Sequence, residues 1–418
     1  MPSTLVENER FLDRIGIPSA LLWGFVGLLV FMIGDGVESG YLSPYLVGRG
    51  MAINDVASIM TVYGTTAAIA GWFSGALSDV WGPRRVIITG WVIWLAFQVA
   101  FLKFGLLHAT PSTVMLTYGL RGLGYPLFAF GFLVWITVAA PKYRMASAMG
   151  WFWFAFTGGL PTLGSLVARY SIPKIGAYNT FWVSTGLVVA GGIILLAGVR
   201  ETRGARRLVE EDKRPVAALL HSVALAWRKP KIGVACIVRI INTAPEFGFF
   251  IILPGFFEDV IGFSQAQFLT LLSAIFLSNI LWNLLFGLIG DRFGWRITVA
   301  TCGGFGSAVT TLLLFYVPLA THSYVASVAV GMLYGATLAG YVPLSALMPM
   351  LAPEHRGEAL SMLNLGAGAA MQVGPLLVRL FFHHVGVKGM MWIFAVLYLA
   401  SGLLALTLTT NEEMVEAV

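Results

Sequence analysis

Three ionisable residues stand where an apolar sequence should hold none. The stretch ALLWGFVGLLVFMIGDGVESGYLSPYL, residues 20–46, carries Asp35 and Glu38 three positions apart. On a helix that spacing puts both carboxylates on one face. The stretch TVMLTYGLRGLGYPLFAFGFLVWI, residues 113–136, carries Arg121. If the two stretches run in opposite directions, Arg121 and the carboxylates reach similar depth. Two like charges at one site do not both ionise cheaply, so an arginine keeps one carboxylate charged while the other takes up a proton at some stage of a cycle. That is proton-coupling chemistry. The plainer alternative is an ion pair that only locks helix packing.

A second set lies in VRIINTAPEFGFFIILP, residues 238–254, where Arg239, Asn242 and Glu246 follow i, i+3, i+7 and share one helical stripe. Uncharged polar residues accompany them: Asn279 with Asn283 four apart, Asn364 with Gln372 eight apart, and Tyr334, Tyr341 and Ser345 in one stretch. Such a site offers many hydrogen-bond donors and acceptors and little net charge, which suits a neutral polyhydroxylated solute. For each polar residue the alternative is bonding between helices. The run Trp151 to Phe156 reads as core or lipid-facing packing, with one ring able to stack on a carbon chain.

Enzyme readings lack their parts. No phosphate-cradling Gly-Lys-Thr or Gly-Lys-Ser loop, no His-Glu-x-x-His and no metal-spaced cysteine pair occurs. His383 and His384 are adjacent and point different ways. Cys236 and Cys302 read as small apolar residues inside spans. Neither a metal nor an organic cofactor is expected, and the proton is the coupling ion.

Residues of the AVILMFWYC set make up 58% of the 418 positions and charged residues 11%, too few to wrap a globule of this size in a polar surface. The implied solvent is a lipid bilayer. Twelve apolar spans are predicted, at 20–45, 57–78, 86–104, 112–138, 147–170, 180–199, 232–256, 266–289, 296–319, 323–349, 359–381 and 389–409. With the amino terminus inside, inner segments hold eighteen of the 26 basic residues, outer segments six, and the spans Arg121 and Arg239. That bias predicts both termini on the cytoplasmic side. Residues 1–18 read as a cytoplasmic leader and 200–231, with nine basic and four acidic residues, as a cytoplasmic linker along an anionic leaflet. The expected organisation is 1–199, a six-helix bundle; 200–231, the linker; and 232–418, a second six-helix bundle.

The halves carry a repeat. GALSDVWGPRR, with Gly75, Asp79, Gly82, Arg84 and Arg85, returns as GLIGDRFGWR, with Gly287, Asp291, Gly294 and Arg296, at an offset of 212 residues. APKYR with Arg144 returns as APEHR with Arg356 at the same offset. Duplicated bundles rocking about a shared midplane site are how alternating access is built. Asp79 and Asp291 each close a helix and can bond Arg or a helix terminus, so these motif residues are expected to form a cytoplasmic gate.

This repeated loop resembles the signature of the major facilitator superfamily, with Val80 and Pro83 as departures in the first copy. Residues 11–46 resemble the amino-terminal region of its bacterial polyol porters, the branch of ribitol and D-arabinitol permeases. The resemblance implies an all-α membrane protein of two pseudo-symmetric bundles in a bacterial inner membrane. It implies a monomer with a small-molecule polyol as its partner, and no nucleic acid. The expected function is proton-coupled import of a linear polyol, a pentitol such as ribitol or D-arabinitol. The alternatives are a carboxylate:proton symporter, in which Arg121 or Arg239 binds substrate, and a proton-driven sugar or drug efflux antiporter.

Overall fold

The computed structural model describes residues 17–108, 110–139, 145–199, 204, 206, 225–352 and 356–409. Among these residues every regular element is helical. In chain order the helices are α1 (Leu22–Gly36), α2 (Leu42–Gly48), α3 (Ile53–Trp81), α4 (Pro83–Ala100), α5 (Pro111–Arg121), α6 (Gly124–Ala139), α7 (Met145–Thr157), α8 (Gly164–Ile175) and α9 (Ala177–Gly198). After residue 225 follow α10 (Pro230–Gly255), α11 (Gln265–Phe293), α12 (Trp295–Thr298), α13 (Ser307–Thr321), α14 (Tyr324–Ala339), α15 (Leu344–Leu351) and α16 (Arg356–Leu406). With no water in a bilayer core, each segment must satisfy its own backbone groups, which is why helices alone appear.

Ten helical stretches among the described residues are long and apolar enough to cross a membrane. Twelve are expected, and two of the helical stretches are not single regular helices. α16 is interrupted at Gly386, whose φ of 61° and ψ of −168° lie outside the helical region, so its 51 residues are two helices joined at a kink. The path from Met145 to Ile175 is helical throughout but passes through a wider-wound turn, Gly158–Leu163, that joins α7 to α8.

Termini of the helices follow from local sequence. Pro83, Pro111 and Pro230 occupy first-turn positions, where a missing N–H is harmless. Ser264 and Gln267 form a reciprocal capping box that starts α11. At the repeated motif α3 ends on Gly82 (φ 86°) and α11 on Gly294 (φ 91°), a left-handed conformation that only glycine adopts freely. The two copies thus fold into the same turn.

Packing is close where the sequence supplies small residues. A Cβ on Gly36 would lie 1.6 Å from the Leu160 carbonyl oxygen, and one on Gly64 2.2 Å from that of Met371. Crossings of this closeness replace hydrophobic driving force with van der Waals contact, as packing within lipid requires. α1 runs along α9, α4 along α6, α10 along α16 and α11 along α14, while α3 meets α16 and α8 meets α11. Phe31 stacks on Phe128 at 3.9 Å and Phe25 meets Phe132 edge-on at 5.3 Å, tying α1 to α6.

Candidate functional site

The first span is not one continuous helix. Between α1 and α2 the backbone tightens into successive i→i−3 bonds, Ser39 N–H to Gly36 O at 3.1 Å and Tyr41 N–H to Glu38 O at 3.1 Å. Between α5 and α6 the same happens, with Gly122 N–H to Gly119 O at 3.1 Å and Leu123 N–H to Leu120 O at 3.2 Å. Glu38 sits in the first of these turns and Arg121 enters the second. Tight turns of this kind inside a span mark functional hinges. The expectation of Asp35 and Glu38 on one helical face is therefore amended: Asp35 belongs to α1, while Glu38 lies in the turn after it.

Both carboxylates nonetheless reach Arg121. Arg121 donates from Nη1 to Glu38 Oε2 at 2.9 Å and from Nη2 to Glu38 Oε1, a fork-to-fork pair. Asp35 Oδ1 lies 3.8 Å from Arg121 Nη2. Arg121 is 0% exposed, Glu38 3% and Asp35 4%. Moving such charges out of water is costly, so the surroundings must supply compensating bonds.

Those bonds come from residues that the sequence reading passed over. Gln98 Oε1 accepts from Arg121 Nη1 at 2.6 Å, Trp94 Nε1 donates to Asp35 Oδ1 at 2.5 Å, and Tyr118 OH donates to Glu38 Oε1 at 2.8 Å. The guanidinium carbon lies 4.5 Å, 4.9 Å and 5.5 Å from the ring centroids of Tyr118, Trp94 and Tyr63. Trp94 and Gln98 are four apart on α4, so one helix face serves both carboxylate and guanidinium. An amide in an otherwise apolar span was a signal for Gln98. Trp94 and Tyr118 had none, since aromatic residues fill most membrane-helix cores.

Tyr118 also stacks on Tyr63 at 4.6 Å, and Tyr63 on Tyr125 at 6.3 Å. The Tyr125 hydroxyl donates to Met371 Sδ at 2.8 Å, carrying the aromatic series across to α16.

In the second half Arg239 donates from Nη1 to Asn242 Oδ1. Asn242 is buried, donates to Leu338 O at 3.4 Å, and its own carbonyl accepts from Tyr398 OH at 3.2 Å. Arg239 and Glu246 are half-buried, and among the described residues Glu246 makes no hydrogen bond or ion pair. Tyr334 and Tyr341 are buried in the seam with α16, their hydroxyls bonded to Tyr398 OH and Ser401 Oγ, each at 2.8 Å. Asn279 donates to Gly335 O at 3.1 Å and accepts from Asn283 at 3.3 Å, linking α11 to α14. Gln372 is half-buried, and Asn364 and Ser345 are exposed. Of the expected binding residues, then, Tyr334, Tyr341 and Asn279 are engaged in helix contacts, while Arg239, Glu246, Asn364 and Gln372 keep accessible surface.

Of the gate motifs, Gly82 and Gly294 form the turns described above; Arg84 donates to Leu196 O at 2.9 Å and Arg296 to Leu406 O at 2.8 Å, each onto the last helix of its half. Gly75 lies within α3 and Arg85 is exposed. Arg144 lies outside the described residues, as do the side chains of Asp79, Asp291 and Arg356 and the surroundings of Gly287. Cys236 is buried and Cys302 half-buried, both as free thiols.

Among the described residues three hydrogen bonds join the part before residue 199 to the part after 230. Ser43 Oγ donates to Ile251 O at 3.0 Å, Ser273 Oγ to Thr162 O at 3.0 Å, and Tyr125 to Met371 as above. Ser43 and Ile251 lie toward the ends of their spans remote from residues 19 and 230, and Ser273 is close to the start of α11 at that same end.

The family model of the Major Facilitator Superfamily matches residues 24–276 and 235–417. The chain is 40% identical over 412 residues to an alpha-ketoglutarate permease of Bacillus subtilis (strain 168), covering 98% of this chain and 94% of the relative. It is 34% identical over 387 residues to a D-arabinitol transporter of Klebsiella pneumoniae, covering 91% and 90%. A solved bacterial homolog of the human lysosomal transporter Spinster, in an inward-facing and unoccupied conformation, has a similar fold, with TM-score 0.72 at 14% identity, covering 96% of this chain and 98% of that one.

Proposed function

This chain belongs to the Major Facilitator Superfamily, and on that premise we propose that it is a proton-coupled symporter importing a linear polyol, a pentitol, by alternating access. It is a transporter and not an enzyme. In this reading twelve helices form two bundles, 1–199 and 232–418, joined by 200–231. Both termini face the cytoplasm of a bacterial cell, and the protein works as a monomer in the inner membrane.

The observation that carries the choice of a neutral solute is the state of Arg121. A carboxylate substrate needs a cation with free N–H groups, and the Nη atoms of Arg121 are sealed against Glu38 and Gln98 with no exposed surface. Arg239, the other cation within a span, commits one N–H to Asn242 and shares its stripe with Glu246, whose charge offsets its own. Asp35 and Glu38 are assigned to proton coupling, with Arg121 setting which of them is ionised. Arg239, Asn242, Glu246, Asn279, Asn283, Tyr334, Tyr341, Asn364 and Gln372 are assigned to solute hydroxyls, directly or by positioning one another. The repeated motifs, Gly75 to Arg85 with Arg144 and Gly287 to Arg296 with Arg356, are assigned to the cytoplasmic gate.

Proton transfer has a short route in this arrangement. When Glu38 is protonated its hold on Arg121 weakens, and Asp35, kept in place by the Trp94 indole, is the nearest replacement for Nη2. Gln98 retains Nη1 throughout, so the guanidinium pivots without losing all its partners. The hinge that contains Glu38 links this exchange to the path of the first span.

A second reading, a carboxylate:proton symporter, is favoured by the 40% identity to an alpha-ketoglutarate permease. Uptake of labelled D-arabinitol, ribitol and alpha-ketoglutarate into vesicles holding the purified protein, with and without an inward proton gradient, separates the two. Gradient-driven accumulation of a pentitol is the expected result, lost in Glu38→Gln while exchange of internal for external solute continues. Accumulation of alpha-ketoglutarate alone would overturn the polyol reading, and accumulation retained in both Glu38→Gln and Asp35→Asn would overturn the coupling assignment.

A further inference from the structure

We propose that Tyr63 is a solute-binding residue of the first half, and that its hydroxyl bonds one hydroxyl of the transported polyol at the seam between the two halves. The inference rests on the polyol reading and extends it, since every residue assigned to the solute so far lies after residue 230. Tyr63, on α3, is half-buried. Its hydroxyl makes no hydrogen bond among the described residues and yet keeps accessible surface. A hydroxyl inside a span is costly to leave bare, so the place beside it is kept for something that bonds it.

The two rings stacked on Tyr63 differ from it in this respect. Tyr118 OH donates to Glu38 Oε1 at 2.8 Å and Tyr125 OH to Met371 Sδ at 2.8 Å, so the protein itself occupies both hydroxyls. Tyr63 stacks on these rings at 4.6 Å and 6.3 Å, with interplanar angles of 27° and 19°. Together with the Arg121 guanidinium carbon, 5.5 Å from its ring centroid, they fix where the Tyr63 oxygen is presented. A hydrogen-bonding group held in place without a partner is preorganised, and a ligand that meets it spends less free energy on ordering the protein.

Tyr63 also stands where both halves can reach one solute. Gly64, the next residue, meets α16 so closely that a Cβ there would lie 2.2 Å from Met371 O and 2.8 Å from Gln372 N. Gln372 is half-buried and assigned to the solute from the other half. On the first-half side Asp35 is within electrostatic reach of Tyr63, and while its Oδ1 accepts from Trp94, its Oδ2 makes no hydrogen bond among the described residues and keeps accessible surface. A solute on Tyr63 is therefore at the level of Gln372 and beside the coupling cluster. A phenol both donates and accepts, as a polyol hydroxyl does, so the bond forms in either protonation state of the carboxylates.

The test uses the full-length protein in vesicles, with labelled D-arabinitol as the transported probe. Tyr63→Phe keeps the ring and its stacks and removes an oxygen that is bonded to nothing in the protein. It is expected to raise the KM for D-arabinitol about three- to tenfold, the equivalent of one neutral hydrogen bond, with the maximal rate and the thermal-unfolding midpoint without solute unchanged. Analogues of D-arabinitol that each lack one hydroxyl then serve as competitors. In the wild type, the analogue lacking the hydroxyl that meets Tyr63 competes about three- to tenfold less well than its parent, and in Tyr63→Phe that difference disappears. Wild-type KM in Tyr63→Phe would overturn the proposal. So would a raised KM with every difference between the analogues intact, which would mean that the hydroxyl bonds water only.

Should Tyr63→Phe bind without transporting, thermal stabilisation of the detergent-purified protein by D-arabinitol reads the affinity directly, and stabilisation equal to that of the wild type again overturns the proposal. A wild type that ignores pentitols and accumulates alpha-ketoglutarate would instead strike the polyol reading. A phenol O–H also donates to a carboxylate, so the same variant is then measured with that anion, and wild-type KM for it would overturn the assignment of Tyr63 as well.

Discussion

At the scale of single residues, the Arg121 cluster is defined by how completely it is bonded. Three neutral side chains, Trp94, Tyr118 and Gln98, bond the three charged ones, and each bond is charge-assisted, the class worth about 1.5–3 kcal/mol apiece. Gln98→Leu removes the acceptor 2.6 Å from Arg121 Nη1 and strands a buried N–H. The purified variant is expected to lose about 1.5–3 kcal/mol of stability. A lowered thermal-unfolding midpoint measures it, and an unchanged midpoint would mean that Glu38 alone holds the arginine. Arg121→Lys keeps the charge and loses the fork, so one ammonium must choose between Glu38 and Gln98. Pentitol accumulation is expected to fall about tenfold or more, the equivalent of one charge-assisted bond. Wild-type accumulation by this variant would show that charge, and not geometry, is what the site needs.

At the scale of elements, the informative departure is in the first span. Asp35, Glu38 and Arg121 were legible because charges interrupt apolar runs, and such interruptions survive only when something inside the protein pays their desolvation. The turn that carries Glu38 was not legible. Gly34, Gly36 and Gly40 permit a bend, but whether the backbone tightens there depends on what it meets, and Gly36 meets the Leu160 carbonyl in the wider-wound stretch 158–163. That partner lies more than a hundred residues away, beyond any periodicity. The same holds for Tyr334 and Tyr341, which read as cavity residues from one helix and turn out to bond Tyr398 and Ser401 on another. By contrast the Gly82 and Gly294 turns rest on local chemistry, a glycine at positive φ just past a helix end, inside a motif whose repetition was legible.

The crossing at Gly36 yields a direct test. Gly36→Val sets branched carbon where a single Cβ already lies 1.6 Å from backbone oxygen. Backbone cannot yield as a side-chain end can, so the two spans must part, and packing strain of this kind costs about 1–3 kcal/mol or more. The expected outcome is a large loss of monodisperse protein on size exclusion, whereas Gly75→Val, where a Cβ meets nothing within 4 Å, leaves the yield unchanged. Equal yields would show that the crossing relaxes freely.

At the scale of the whole molecule, the hydrogen bonds between the two halves lie at the end remote from residues 19 and 230 or near mid-span, and Asn364, on the stripe of α16 that includes Gly368 and Gln372, is exposed. Gly368 lies against Ala68 of α3, and farther along the same face Met371 lies against Gly64, so the stripe is open at its start and closed beyond. With the proposed orientation the exposed start of this stripe lies toward the cytoplasm. In a background with Cys236 and Cys302 replaced by serine, Asn364→Cys is expected to react with a membrane-impermeant maleimide from the cytoplasmic side, and Ser43→Cys to resist it from either side. Labelling of Ser43→Cys from outside, with Asn364→Cys protected, would mean that the opposite state prevails in the bilayer.

The two serine bonds at the closed end have one property in common: each donor is a side chain and each acceptor a main-chain carbonyl, of Ile251 and of Thr162. A main-chain acceptor is present whatever residue occupies its position. The closure is therefore unequal in its tolerance of drift. Over generations the acceptor positions are free to exchange side chains of similar bulk, while Ser43 and Ser273 are not. A lineage changing its cargo could remodel the far side of this contact repeatedly and still inherit a door that shuts.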